Sequence, residues 1–312
     1  MLFQFTCSAC FLVLLLSSCS KEKETDIHNL DALKQKIQEL TDLKSQAEKN
    51  DDLKRLLSFY QPDAICMPEY QLTLDGTIDL ETYFKEILQR QKIKTFQRTV
   101  MEIIPLGNTI IEIGIFNKTY TLSTDSLITQ TGKYWHIWNK QSDGNFKLKG
   151  EALGFFQPVS NPELLVVKMN TTQPDDSIIY SQKEIPFELK AYNALMEKGV
   201  RSRDGLLRSS FFTDDASIYP FADTTVTGMD QIKPYLIAYS NRGVVTIDSI
   251  MCYTYDFEYL DDYIIEYDMF KVKWNVPGYS GRTEGKGIRL WKRQEDKSLK
   301  LYREIGTHNH LN

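Results

Sequence analysis

Histidine is scarce in this 312-residue sequence, with four copies, and cysteine nearly so, with five. Beyond residue 19 only Cys66 and Cys252 remain. They form no CxxC pair and have no histidine at ligand spacing, so a cysteine-based zinc site is not expected. There is no glycine-rich phosphate loop, no Gly-x-Ser-x-Gly elbow and no Cys/His nucleophile pair, which removes the motif-borne phosphate and acyl-transfer chemistries. Charge of one sign never accumulates. Lys and Arg total 37 against 42 Asp and Glu, and the net −5 is interspersed rather than blocked. Such a pattern lacks the electrostatic footprint of a nucleic-acid binder, and no cofactor or metal is expected.

At the N-terminus, residues 1–16 are almost uncharged and end in the apolar run Phe11-Leu12-Val13-Leu14-Leu15-Leu16. That run is too short to span a bilayer comfortably, so a processed signal is expected. Leu16-Ser17-Ser18-Cys19, followed by Ser20-Lys21-Glu22-Lys23-Glu24, resembles the lipobox of bacterial lipoproteins, although no Lys or Arg precedes the apolar core. The resemblance implies a signal over residues 1–19, lipid on Cys19 and anchorage in the cell envelope. No Asp follows Cys19, which favours the outer membrane of a Gram-negative bacterium. Cys66 and Cys252 are expected to be buried free thiols.

The rest of the chain repeats itself. Ile27 to Tyr60 has helical periodicity through Leu30, Leu33, Ile37, Leu40 and Leu43. Strands are expected at Thr99–Ile104, Thr109–Phe116, Lys133–Lys140 and Phe146–Leu153. After Pro186 the order returns, with helices at Phe187–Met196 and Gly205–Phe212 and strands from Val244. Tyr60-Gln-Pro-Asp63-Ala64-Ile-Cys-Met-Pro68 aligns with Phe212-Thr-Asp-Asp215-Ala216-Ser-Ile-Tyr-Pro220. Gly76 and Gly228 follow at equal distance, then Gly132-Lys133 to Trp138 answers Gly285-Lys286 to Trp291, and Phe146-Lys147-Leu148 answers Leu299-Lys300-Leu301. This predicts a domain over 26–155, a linker over 156–184 with a short strand at Leu164–Lys168, and a second domain over 185–312 able to fold alone.

A helical opening, Phe-x-x-Asp-Ala-x-x-x-Pro, a glycine before a helix and long closing hairpins resemble the nuclear-transport-factor-2-like superfamily, which includes SnoaL-like cyclases and ketosteroid isomerases. The resemblance implies an α+β fold: two tandem cone-shaped domains, each a curved, mostly antiparallel sheet wrapped around helices. The superfamily's isomerases carry a carboxylate base at the end of the strand after Asp-Ala. Here those places hold Met67 or Pro68 and Tyr219 or Pro220, none of which replaces a carboxylate base. Asp63 and Asp215 are expected to cap backbone amides at a turn.

A recurring polar set supplies the remaining candidates. Glu112 answers Glu266, His136 answers Arg289, and Glu151 answers Glu304, with Asp268 two residues past Glu266. Strand alternation puts Tyr134, His136 and Trp138 on one face. Parity leaves two readings open: a ligand site inside each cone, or cross-strand ion pairs on the outer face. Thr307-His308-Asn309-His310 offers a weak metal pattern at the C-terminus. Three functions follow. One is a binding module for a small partly apolar ligand or another envelope protein. Another is a SnoaL-like enzyme of isomerase, dehydratase, cyclase or hydrolase type; no catalytic residue is assigned. The third is a purely structural envelope protein whose cavities are filled by side chains.

Overall fold

The computed structural model describes residues 18–122, 126–169 and 183–311. The signal segment through Ser17, the side chain of Cys19 and residues 170–182 of the expected linker lie outside the described residues. The first repeat runs α1 (Ser18–Lys49), α2 (Leu53–Ser58), β1 (Tyr60–Pro68), β2 (Leu74–Asp75), α3 (Gly76–Arg90), β3 (Lys92–Leu106), β4 (Thr109–Thr121), β5 (Leu127–Lys140) and β6 (Phe146–Phe155). The second runs α4 (Phe187–Arg201), α5 (Gly205–Ser209), β7 (Phe212–Tyr219), β8 (Val226–Thr227), α6 (Met229–Asn241), β9 (Thr246–Leu260), β10 (Tyr263–Val276), β11 (Tyr279–Arg293) and β12 (Leu299–His308). The sheets have orders β2-β1-β6-β5-β4-β3 and β8-β7-β12-β11-β10-β9. In each, only the contact of the first strand with the last (β1·β6, β7·β12) is parallel. The chain is therefore α+β, with two cones in tandem.

Local chemistry repeats with the topology. Asp52 and Asp204 cap α2 and α5, their Oδ1 atoms accepting from Arg55 N at 3.0 Å and Leu207 N at 2.9 Å. Gly76 and Gly228 turn into α3 and α6 with φ of 76° and 82°, a left-handed backbone that favours glycine. Several expectations shift. The first helix breaks after Lys49, where Asp51 takes φ 56°. The second repeat's short helix stops at Ser209, because Phe212 already belongs to β7. Asp63 and Asp215 are exposed residues within bulged strands, so the capping falls to Asp52 and Asp204 instead. The short strand expected at Leu164–Lys168 is absent; a 3-10 turn occupies Pro162–Leu165, with proline suited to its first position.

Each sheet has two buried faces. The inner face packs on helices: Leu56, Leu80, Phe84, Trp138 and Leu148 in the first cone, Leu189, Ile232, Leu236, Trp291 and Leu301 in the second. The outer faces pack on each other, joining Ile65, Met67, Ile111, Ile113, Trp135 and Ile137 to Tyr219, Ile265, Tyr267, Ile288, Leu290 and Ile305. Burying such side chains contributes about 1.5–3 kcal/mol each. Gly150 admits this approach, because a Cβ there would stand 2.2 Å from the Tyr267 hydroxyl.

The joint is reciprocal. From β5, Lys133 Nζ donates to the carbonyls of Pro220 and Asp223 in the loop after β7. From β11, Lys286 Nζ donates to the carbonyl of Gln71, the equivalent place after β1, at 2.5 Å, and to Asn309 Oδ1 at 2.7 Å. Arg303 grips Glu102 with two bonds of 3.0 and 2.8 Å. Tyr70 and the C-terminal strand exchange bonds, Tyr70 N to His308 O at 2.7 Å and His310 N to Tyr70 O at 2.9 Å. A surface that meets its own repeat through equivalent groups is an isologous contact, here within one chain.

Candidate functional site

The ladder register decides the face of the recurring polar set. Glu112 stands opposite His136, and His136 opposite Glu151. Glu266 stands opposite Arg289, and Arg289 opposite Glu304. All point to the helices, since Thr41 on α1 bonds Glu112 and Asn193 on α4 bonds Arg289 and Glu266. The outer-face reading is thereby set aside. That face is apolar and shared between the cones.

In the first cone Glu112 is fully enclosed. It accepts from Thr41 Oγ1 at 2.9 Å, Tyr134 OH at 2.7 Å, Trp138 Nε1 at 2.6 Å and His136 Nδ1 at 3.0 Å. Burial alone would raise its pKa, but His136 and these donors outweigh it and hold the carboxyl below its usual range. Glu151 accepts from Tyr60 OH and from Lys44 Nζ at 3.1 Å, and faces His136 Nε2 at 3.3 Å. Here too burial is opposed, by Lys44, His136 and Arg98, and the carboxyl stays well below its usual range. Lys44 and Arg98 also grip Glu48, at 3.0 and 2.8 Å. The network is closed and its carboxylates are paired.

In the second cone one guanidinium serves three acids. Arg289 meets Glu304 at 2.8 Å, Asp268 at 3.0 Å and Glu266 at 3.7 Å. Trp291 Nε1 donates to Glu266 at 2.8 Å, as Trp138 does to Glu112. Burial, reinforced by the neighbouring Glu266 and Glu304, pushes Asp268 up to about 7, although Arg289 pulls the other way. Asp268 fits because residue 287 is glycine, whose missing Cβ would lie 3.1 Å from Asp268 Oδ1. The first cone inverts the arrangement: Tyr134 fills that space and Gly114 yields to its hydroxyl.

The cavity is elsewhere. A space of about 70 Å³ in the first cone is lined by Lys44 and Glu48 of α1, Phe96 and Arg98 of β3, Phe116 and Lys118 of β4, Gln130 of β5, and Glu151, Leu153 and Phe155 of β6. Glu69, Tyr83, Phe84, Gln91 and Leu165 contribute to its remaining wall. Of the seven residues singled out by repeat matching, only Glu151 lines it; Glu112 and His136 do not, and Glu266, Asp268, Arg289 and Glu304 belong to the other cone. Lys118, Arg98 and Gln130 were missed because repeat matching selects what the copies share, and these three are not shared. The strand expected from sequence ended at Phe116, whereas β4 runs on to Thr121 and puts Lys118 on the face of Glu112, six residues earlier.

Several polar atoms at this cavity are unspent. Among the described residues, Arg98 Nε, Gln130 Nε2 and Glu69 Oε1 are buried without a hydrogen-bond partner. Lys118 Nζ has Gln91 Oε1 at 2.6 Å and forms no ion pair among the described residues. Burial, with Arg98 and Lys44 nearby, lowers Lys118 to about 8. Residues after β6 lie over this end. Arg90 donates to Val166 O at 2.6 Å, and Gln71 exchanges two bonds with Val167, at 3.1 and 2.7 Å.

Other candidates have structural places. His308 stacks on Phe221 with centroids 3.8 Å apart, and burial lowers it to about 4. Among the described residues no group of three or more His, Cys, Asp or Glu is arranged to hold a metal ion. Cys66 is buried and Cys252 half-buried, and both are free.

No protein-family model and no curated protein matches the chain. Among solved structures it is similar to a ketosteroid isomerase-like protein from Erwinia carotovora atroseptica, at 11% identity over 38% of this chain and 92% of that one, TM-score 0.36. An NTF2-like superfamily protein from Salmonella enterica serovar Typhimurium is similar at 11% identity over 40% and 92%, TM-score 0.36. An NTF2-like protein from Cytophaga hutchinsonii gives 16% identity over 38% and 94%, TM-score 0.32.

Proposed function

We propose that the chain is an envelope lipoprotein whose first cone receives a small ligand, while the second acts as its packed counterpart. The observation that carries this reading is the first cone's cavity, with buried donors that no described residue satisfies. Buried polar atoms are costly to leave unpaired, about 1–3 kcal/mol each, so a native site that retains several is suited to receive a partner. Binding is favoured over acid–base catalysis because His136, Glu112 and Glu266 are fully enclosed and already bonded on every side that the network offers. The lipobox supports lipid on Cys19 and an outer-membrane location.

Two experiments test the reading. A panel of small neutral, anionic and cationic probes, followed by ligand-observed NMR with the full chain, should yield binders that Leu153→Trp displaces by filling the cavity. No binder in the panel, or equal binding to the filled variant, overturns the receptor role. Mass spectrometry of the mature N-terminus should find acylated Cys19; a free N-terminus or unchanged fractionation of Cys19→Ser overturns the anchor.

A further inference from the structure

We propose that the first cone's cavity is a site for a short aliphatic monocarboxylate, of acetate to propionate size, held by Lys118, Gln130 and Arg98. The inference rests on the receptor reading and names the ligand class of the same site.

The donors adjoin by register. Lys118 on β4 pairs directly with Gln130 on β5, so their side chains share one face at cross-strand distance. Arg98 on β3 pairs with Phe116, two residues before Lys118 on the same face. Its guanidinium lies 3.9 Å from the Phe96 ring centroid, which fixes the plane that carries Nε. Arg98 Nε and Gln130 Nε2 are buried and unpartnered, and Arg98 and Gln130 are 2% and 8% exposed. An ammonium has three donors, and that of Lys118 bonds one protein acceptor, Gln91. Unspent N–H groups therefore outnumber the one orphan acceptor, Glu69 Oε1. The complement of such a wall is a group rich in acceptors and poor in donors. A carboxylate, with two oxygens and no proton to give, meets that description.

Charge agrees. Glu48 and Glu151 are committed to Lys44 and Arg98, and burial holds Glu69 toward its neutral form. Lys118 makes no direct ion pair among the described residues; Glu48 stands near it but is gripped by Lys44 and Arg98, and the ammonium lies 5.2 and 5.3 Å from the Phe96 and Tyr120 rings. Size and walls choose the rest of the ligand. About 70 Å³ is roughly half the space of an engineered cavity that accepts benzene, which suits a carboxylate with one or two further carbons. Phe116, Phe155 and Leu153 offer those carbons an apolar wall.

The test uses three probes of one size: acetate, acetamide and ethylammonium, titrated calorimetrically against the full chain in detergent. Acetate should bind at least about tenfold more tightly than either of the others, the loss expected when a charge-assisted bond is missing. Lys118→Met should weaken acetate by about tenfold and erase its advantage over acetamide, and Gln130→Leu should weaken it while Lys118 is intact. The preference among probes in the parent chain needs no variant to fold. Acetamide or ethylammonium binding as well as acetate overturns the ligand class and leaves the receptor reading standing. Binding of none of the three at the cavity, together with no binder in the wider panel, overturns both.

Discussion

Where the first cone has Lys44, Glu48, Arg98, Lys118 and Gln130, the second has Met196, Val200, Cys252, Val272 and Thr283 at equivalent positions. The frame around them is kept: a tryptophan bonded to a buried glutamate, a base between two acids, an aspartate cap and a left-handed glycine at the same steps. What differs is the fate of polar atoms. Thr283 Oγ1 accepts from Trp274 Nε1 at 3.0 Å, whereas Gln130 Nε2 opposite Lys118 finds nothing. At the positions equivalent to the cavity wall the second cone thus resembles a packed support, its unpartnered atom in the polar network being the acceptor Asp268 Oδ1, whereas the first cone's wall keeps the unspent donors Arg98 Nε and Gln130 Nε2. A duplicated fold freed of one ligand demand can exchange charged walls for methionine and valine, which need no partners.

The shared outer faces set the largest expected effect. Residues 183–312 expressed alone would uncover Tyr219, Ile265, Ile288, Leu290 and Ile305, an apolar face of the kind that drives self-association. Against the expectation from the repeat that this half folds alone, sedimentation velocity and thermal unfolding should find an associated or molten fragment, because its outer face is shared with the first cone. A monomer with one cooperative transition would break the comparison by making the cones independent. Next is Arg289→Ala, which leaves buried carboxylates unpaired at a cost of about 3–5 kcal/mol in a urea titration. A loss under about 1 kcal/mol would place the network in a softer, wetter setting than its burial implies.

The reciprocal lysines give a pH effect. Burial lowers Lys286 to about 7, so between pH 7 and the unfolded value near 10.4 the unfolded chain binds more protons. Stability should therefore rise with pH through that window, and more steeply in the parent than in Lys286→Met, by up to about 1.4 kcal/mol per pH unit. Parallel profiles from pH 7 to 9 would contradict a lysine whose pKa is lowered by burial at the joint. The smallest effect is expected of Asp268→Asn. Three acids share one guanidinium there, so a neutral replacement should change stability by less than about 1 kcal/mol at pH 8. A loss as large as that of Arg289→Ala would mean that the second cone needs all three charges.

The repeat and the two α+β cones were legible because turn glycines, an Asp-Ala strand and paired hairpins recur at equal spacing. The polar set was legible as a set, since Glu112, His136 and Glu151 have counterparts at Glu266, Arg289 and Glu304. Its face was not legible, because strand parity is the same inward and outward when both faces are buried, and here the outer face is covered by the other cone. The cavity wall was hidden for a different reason. Lys118 and Gln130 become a pair only through the β4–β5 register, and Arg98 joins them through β3. Ladders of that kind are long-range facts that spacing along the chain does not carry.

The asymmetry between the cones is most directly tested by a crystal structure of the chain soaked in acetate. Density for a carboxylate or ordered waters is predicted at Lys118, Gln130 and Arg98 Nε, and continuous side-chain packing among Met196, Cys252 and Val272. Acetate or water of similar extent inside the second cone, with an empty or collapsed first cone, would contradict the account.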